Sequence, residues 1–541
     1  MGRRPSAPPL DSLGWSLAGA LALALALPPL GFYPLAWVGL VPLLVRWEAR
    51  APSLNYAREL YAVLLAASCC VGFWVLFNPD PGTAAAGGVT LFLVPVPLTA
   101  AFVAAGAVRR RYGAGLGLGA LVLYVVAAEY LVLQTSVTVP WLLLGHTQVG
   151  ALDFIQIADL GGVLLLSLWV LLLNVAAFAV LGRPIGLRPP GSKPAGGGPP
   201  PAGRPSEWGT SVAAFAALVA VPVVYGAVRT AQADVPSGYT RVGVVQPGLA
   251  PRAWDGQSAE DRVDYLVDVS DRFLARWGAG RAALDGAEGY GGYGLLLWPQ
   301  SSLPTARSAR EEAELYRQLE GWAGRRGVSL LAGARLPAEG GAEPSVGRGG
   351  TTNAAVLVRP DARTSTYRQM RRVSFADEAG DLGERRTLLQ TDRAEIAATV
   401  GFESVFGDHV RRFAQGGADL IVVLSRNDLW GQSAGLYQHL MFTRLRAVES
   451  RRSVVLSAVS GGSALIHPSG AVTEVAGWME SEVASVEVPL FRGETFYVRH
   501  GDWLGRLALV LSLVGTVGLV GGGRHVLKKV PPTAARRRAA A

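Results

Sequence analysis

Eight apolar runs dominate this sequence, at roughly 13–29, 31–46, 58–78, 86–107, 114–133, 159–182, 208–228 and 503–522. A helix needs about 20 consecutive apolar residues to cross the hydrocarbon core of a bilayer, where its backbone groups must bond within the segment. The runs therefore predict a helical membrane domain of eight spans. Composition agrees, since half of the 541 residues are hydrophobic and only 17% are charged. The first two runs are joined by "PPLGFYP", whose prolines forbid one continuous helix. The first run lacks a small-residue cleavage site before a polar start, so it reads as a retained span and not a signal peptide.

Basic residues set the orientation, because loops rich in Lys and Arg stay in the cytoplasm. Arg46, Arg50, Arg58, Arg109, Arg110, Arg111, Arg183, Arg188, Lys193, Arg524 and Lys528 fall in one set of connections, whereas 79–85 and 134–158 hold neither Lys nor Arg. Eight spans then place both termini in the cytoplasm and the long segment 229–502 outside. The chain divides into residues 1–228, with seven spans and a Pro/Gly-rich loop at 183–206, an outer domain at 229–502, and an eighth span with a basic tail at 503–541. Much of the net charge of +9 sits in the cytoplasmic loops and so implies no nucleic-acid partner. The two cysteines, Cys69 and Cys70, lie inside the third run and can build neither a disulfide framework nor a zinc site. No cofactor or metal is expected.

Between 240 and 488 the pattern changes. Short β-type runs ("TRVGVVQPG", "YGLLLWPQ", "VSLLAGARL", "TNAAVLVRP", "IAATVGF", "LIVVLS", "SVVLSAVS") are interspersed with helical patterns over 257–280, 308–326 and 435–450. Such alternation predicts an α/β domain of layered sheets and helices. The stretch "GYGGYG" at 289–294 has the spacing of a dinucleotide fingerprint, but it precedes a strand where that motif must follow one, and it reads as a loop. The six histidines show no metal-ligand spacing, and His439 reads as a polar-face or satisfied core residue.

These segments together resemble the apolipoprotein N-acyltransferase family of bacterial inner-membrane enzymes. The resemblance is carried by "ALALALPPLGFYPLAWVGLVPLL", "VPWLLLGHTQ" and "QIADLGGVLLLSLWVLLLN" in the membrane part. In the outer part it rests on "LLLWPQSSLP" at 295–304, "YRQMRRVSFADE" at 367–378 and "GADLIVVLSRNDLWG" at 417–431. It implies a nitrilase (carbon–nitrogen hydrolase) α-β-β-α sandwich between the seventh and eighth spans. It also implies an activity: an acyl chain passes from a phospholipid to the α-amino group of a lipoprotein's diacylglyceryl-cysteine. A cysteine thiolate carries the acyl group, a glutamate acts as base and a lysine stabilises the oxyanion.

Carried over position by position, the glutamate seat is Gln300 in "WPQSS", the lysine seat is Gln369 in "YRQMRR" and the cysteine seat is Gly401 in "VGFES". All three chemical groups are absent, while Trp298, Pro299, Phe375, Glu403, Asn427, Asp428 and Trp430 persist around them and Asp377 stands where the family has a glutamate. Trp298, Asp377, Phe402, Glu403 and Trp430 are the candidates for lining the pocket. The aromatic ones are equally readable as plain core, and Glu403 as a cap of the helix it precedes. Ser404 and Ser425 are the nearest hydroxyls, and a serine nucleophile needs a base within hydrogen-bond reach. The resemblance with its missing triad implies a catalytically inactive relative that binds phospholipid or diacylglyceryl-lipoprotein. The alternative is an acyltransferase with a non-standard nucleophile or direct transfer to the amine.

Overall fold

A computed structural model describes residues 13–135, 141–181, 205–232, 235–281, 294–303, 309–337, 350–373 and 381–527. Among these, five helices are long and apolar enough to cross a membrane: Leu54–Phe77, Pro81–Tyr112, Ala114–Gln134, Phe154–Leu181 and Trp208–Ala231. Two shorter apolar helices span Leu13–Ala26 and Trp503–Gly518. The run at 31–46 is divided into a 3-10 turn, Tyr33–Trp37, and a nine-residue helix, Val41–Ala49. Pro34 and Pro42 each sit in the first turn of their element, where a missing N–H costs nothing, and each restarts the chain. The eight apolar runs thus become five long helices, two shorter ones and this divided segment. The loop at 183–206 and the "GYGGYG" stretch lie almost wholly outside the described residues.

The helix Phe154–Leu181 is interrupted at Gly161 and Gly162. Gly162 has φ +64°, and a Cβ there would stand 2.5 Å from the ring of Tyr497. Glycine is needed on both counts, and its bareness lets Tyr497 press on the helix.

The α/β domain is built from two six-stranded sheets. In chain order the strands are β1 Gly238–Gln246, β2 Leu295–Leu303, β3 Ser329–Pro337, β4 Thr351–Val358, β5 Thr364–Arg368 and β6 Leu389–Gln390. They continue with β7 Glu395–Val400, β8 Leu420–Ser425, β9 Ser453–Ala458, β10 Gly461–Ile466, β11 Val472–Trp478 and β12 Glu482–Leu490. The first sheet has the order β12-β1-β2-β3-β4-β5 and the second β11-β10-β9-β8-β7-β6. Each has three parallel neighbours at its centre, β1-β2-β3 and β7-β8-β9, with antiparallel strands outside them.

The alternation of side chains along a strand separates two cores. Leu295, Leu297 and Leu331 face Ile396, Ala398 and Val422 between the sheets. Leu296, Trp298 and Leu330 face the opposite way, under the helices Ala259–Arg281 and Ala309–Arg326. On the far side of the second sheet lie the helices Gly407–Gln415 and Ala434–Ser450. Phe442, Leu445 and Val448 of the latter join the same core as Leu143, Val163 and Leu164 of the membrane domain. This outer layer of the sandwich therefore rests on the membrane helices.

Polar contacts lock that junction. Gln438 accepts from the indole N–H of Trp74 at 3.0 Å and from that of Trp141, and donates to the Pro28 and Val71 carbonyls at 2.8 and 3.2 Å. Arg451 binds Asp159 at 2.7 Å, and Asp159 also meets Arg229 at 3.1 Å and the Tyr225 hydroxyl at 2.7 Å. Removing one partner of a buried ion pair strands the other, so the network resists separation of the two parts.

Candidate active site

The three seats lie at the C-terminal ends of β2, β5 and β7. Gln300 stands near the end of β2, where the register with β3 is irregular between Trp298 and Leu303. Ser301 has φ +61°, a left-handed conformation in a non-glycine residue, and this reshapes the strand just after Gln300. Gly333 on β3 makes room for the bend, since a Cβ there would lie 2.4 Å from the Gln300 Cα. Gln300 is 4% exposed, and its Oε1 has no hydrogen-bond partner among the described residues.

Gln369 follows β5 and is likewise buried. Its Oε1 accepts from Asn353 Nδ2 at 3.0 Å, and its Nε2 donates to the Val400 carbonyl at 3.2 Å. The amide is thereby occupied at both ends and ties the first sheet to the second.

Gly401 ends β7 and opens a 3-10 turn, Gly401–Val405, which leads into the helix Gly407–Gln415. Its φ is +61°. A strand that turns sharply into a helix through strained backbone is the setting in which several folds display a nucleophile. Here that setting holds no side chain.

Glu403 is completely buried and accepts four hydrogen bonds. They come from the Tyr367 hydroxyl at 2.7 Å, Met370 N at 2.7 Å, Arg371 N at 2.9 Å and Val400 N at 2.9 Å. Burial pushes its carboxyl up to about 7, against the pull of these donors. The side chain clamps the segment after Gln369 to the strand before Gly401. His409 lies 3.4 Å away, but burial and three nearby arginines push its imidazole down to about 3, so the ring is neutral near pH 7 and this is no ion pair.

The other candidates are placed as follows. Trp298 points away from the inter-sheet core, and its Nε1 donates to Ser270 Oγ at 3.0 Å. Phe402 stacks on His439 at 4.2 Å and meets Trp430 at 4.9 Å and Trp141 at 5.3 Å between ring centres. Trp430 in turn meets Trp74 at 5.5 Å, so both aromatics belong to a cluster shared with the membrane domain. Phe375 and Asp377 lie outside the described residues. Among the described residues no three His, Cys, Asp or Glu side chains are gathered as metal ligands.

One constellation escaped the sequence reading. Ser404 Oγ is 2.9 Å from His439 Nε2, and His439 Nδ1 is 2.8 Å from Asn427 Oδ1. Because an amide oxygen can only accept, Nδ1 carries the proton and Nε2 accepts from Ser404. Ser404 also exchanges a hydrogen bond with Thr443 at 2.9 Å. This is the hydroxyl–imidazole–amide order of a nucleophilic triad. Ser404 and His439 are nevertheless 0% exposed, beneath the ring of Phe402. Only a pairing of the hydroxyls after β7 with His439 would have revealed it, and they stand 35 residues apart.

Comparison with known proteins agrees with these elements. Residues 19–176 match the family model described as the apolipoprotein N-acyltransferase N-terminal domain, and residues 241–495 match that of carbon-nitrogen hydrolase. The apolipoprotein N-acyltransferase of Gloeobacter violaceus is 30% identical to this chain, covering 93% of each. The chain belongs to the apolipoprotein N-acyltransferase family. The same enzyme of Chlorobaculum tepidum is 24% identical over 91% of this chain and 93% of its own. Among solved structures, the nitrilase-superfamily protein Nit3 of Saccharomyces cerevisiae aligns with 49% of this chain and 94% of its own, at 16% identity and a TM-score of 0.37.

Proposed function

We propose that this family member acts in bacterial lipoprotein maturation as a membrane-anchored binding protein that does not itself transfer acyl groups through a thioester. Its ligands are phospholipid or diacylglyceryl-lipoprotein. It sits in the inner membrane with eight spans, both termini in the cytoplasm and the α/β domain in the periplasm. One observation carries the reading: the seats at 300, 369 and 401 hold two glutamines and a glycine, and Gln369 spends both ends of its amide on Asn353 and Val400.

Energetics supports the same conclusion. Losing a general base costs roughly 10²–10⁴ in rate, and losing an oxyanion donor about 10²–10³. These factors belong to one unit and do not multiply, yet a missing nucleophile leaves nothing for them to assist. Two neutral amides also avoid the cost of a buried charge pair that lacks its cysteine.

The hydrogen bond from Ser404 to His439 favours a second reading, an acyltransferase with a serine nucleophile. Against it stand the complete burial of Ser404 and its second bond to Thr443.

Cells depleted of their own acyltransferase and expressing this protein provide the test, with lipoprotein N-termini read by mass spectrometry. Diacylated termini are expected, and triacylated termini would overturn inactivity. In that case the Ser404→Ala variant decides between a serine route, which it abolishes, and direct transfer, which it spares.

A further inference from the structure

The open hydrogen-bonding capacity of the site identifies its ligand. Gln369 is occupied at both ends, and Glu403 is occupied by four donors. Gln300 differs: its side chain is buried and its Oε1 has no partner among the described residues. A buried acceptor left unpaired carries a desolvation penalty that a ligand N–H would relieve. The acceptor is also uncharged. A carboxylate at this place would welcome an ammonium group, whereas an amide oxygen offers only a dipole. An α-ammonium group brings three N–H donors and a full charge, and would have to shed its water for one neutral acceptor. A neutral secondary amide brings a single N–H and no charge.

We propose that the site around Gln300 recognises the N-acylated, amide form of a lipoprotein terminus in preference to the free α-ammonium form. The inference rests on the reading of this protein as a binding member of its family and names the ligand. It makes the protein a reader of the product of the family's reaction instead of a handler of its substrate. The glutamine at the base seat then has a positive role, because a glutamate there would select the opposite form.

Purified full-length protein in nanodiscs allows a direct test. Three synthetic S-diacylglyceryl-cysteine lipopeptides are compared at pH 7, with the terminus free, N-acetylated, or N-acetylated and N-methylated. The acetyl group keeps added apolar contact small, and the methyl group removes the only N–H on the terminal nitrogen. The N-acetyl form is expected to bind at least tenfold more tightly than the free amine, and methylation to cost about tenfold. Gln300→Glu should erase or reverse the preference. Equal binding of the three forms, or tighter binding of the free amine, would overturn the proposal. The methylated peptide keeps the test decisive should Gln300→Glu fail to fold. Acyl transfer to the free-amine peptide is read separately by mass spectrometry, so failure of the inactive reading is distinguished from failure of the preference.

Discussion

Gln369 Nε2 donates to the carbonyl of Val400 over 3.2 Å, so the side chain at the end of β5 holds the peptide that leads into Gly401. The contact joins the two sheets at the ends of β5 and β7. A group that waits for substrate must have an unspent charge or lone pair. Gln369 engages each end of its uncharged amide in one bond to the protein, and its neighbour Glu403 has its carboxyl bound by Tyr367, Val400 and two loop amides.

Glu403→Gln should destabilise the α/β domain by about 2 kcal/mol. Three donors meet Glu403 Oε1 and Val400 N meets Oε2, so a glutamine confronts at least one buried N–H with its own NH2 group. An orphaned buried donor costs about 1–3 kcal/mol. Thermal unfolding of the detergent-solubilised protein checks this, and an unchanged midpoint would mean that the clamp is not formed.

Gly401→Cys should fold less stably by about 1–2 kcal/mol, because φ is +61° and a Cβ is strained in that region. Gly401→Ala should show the same loss, separating the backbone cost from any effect of sulfur. Equal stability of wild type and alanine variant would show that the turn relaxes. Maleimides should label no residue of the wild-type α/β domain, which has no cysteine.

The imidazole of His439 should stay neutral well below its ordinary range. Burial pushes it down to about 3, and His409 is held equally low. A depressed histidine contributes stability that is present above about 6.5 and is lost as pH falls toward 3, because the unfolded chain takes the proton first. Each such group adds a slope of about 1.4 kcal/mol per pH unit. Glu403 and Glu449, both raised to about 7, act in the opposite sense, and their share is lost as pH rises from about 4.5 through 7. Nitrogen-15 histidine NMR isolates the imidazole, and a His439 titration centred near 6.5 would contradict its burial.

Much of this molecule was legible along the chain. The apolar runs, the strands near 242, 297, 331, 355, 398, 422 and 455, and the helix at 434–450 follow from local periodicity. The strands β5, β6, β11 and β12 were not read, because their side chains are only partly buried or their runs too short to show a pattern, and β10 was not read because it opens on two glycines directly after β9. Trp298 illustrates a limit of another kind. It sits in the motif that carries Gln300, but strand alternation turns it, with Leu296, to the helix side of the sheet and away from the inter-sheet core.

The division into apolar helices and an α/β part, and the presence of Gln300, Gln369 and Gly401 at their positions, were determined by the sequence alone, because hydrophobic period and residue identity are properties of a single line of text. Which polar atoms are satisfied was decided only by the tertiary structure. Asn353 reaches Gln369, His439 reaches Ser404 and Gln438 reaches Trp74 across separations of 16, 35 and 364 residues. A hydrogen bond depends on distances of a few tenths of an ångström between groups that only folding brings together, and no local pattern encodes them.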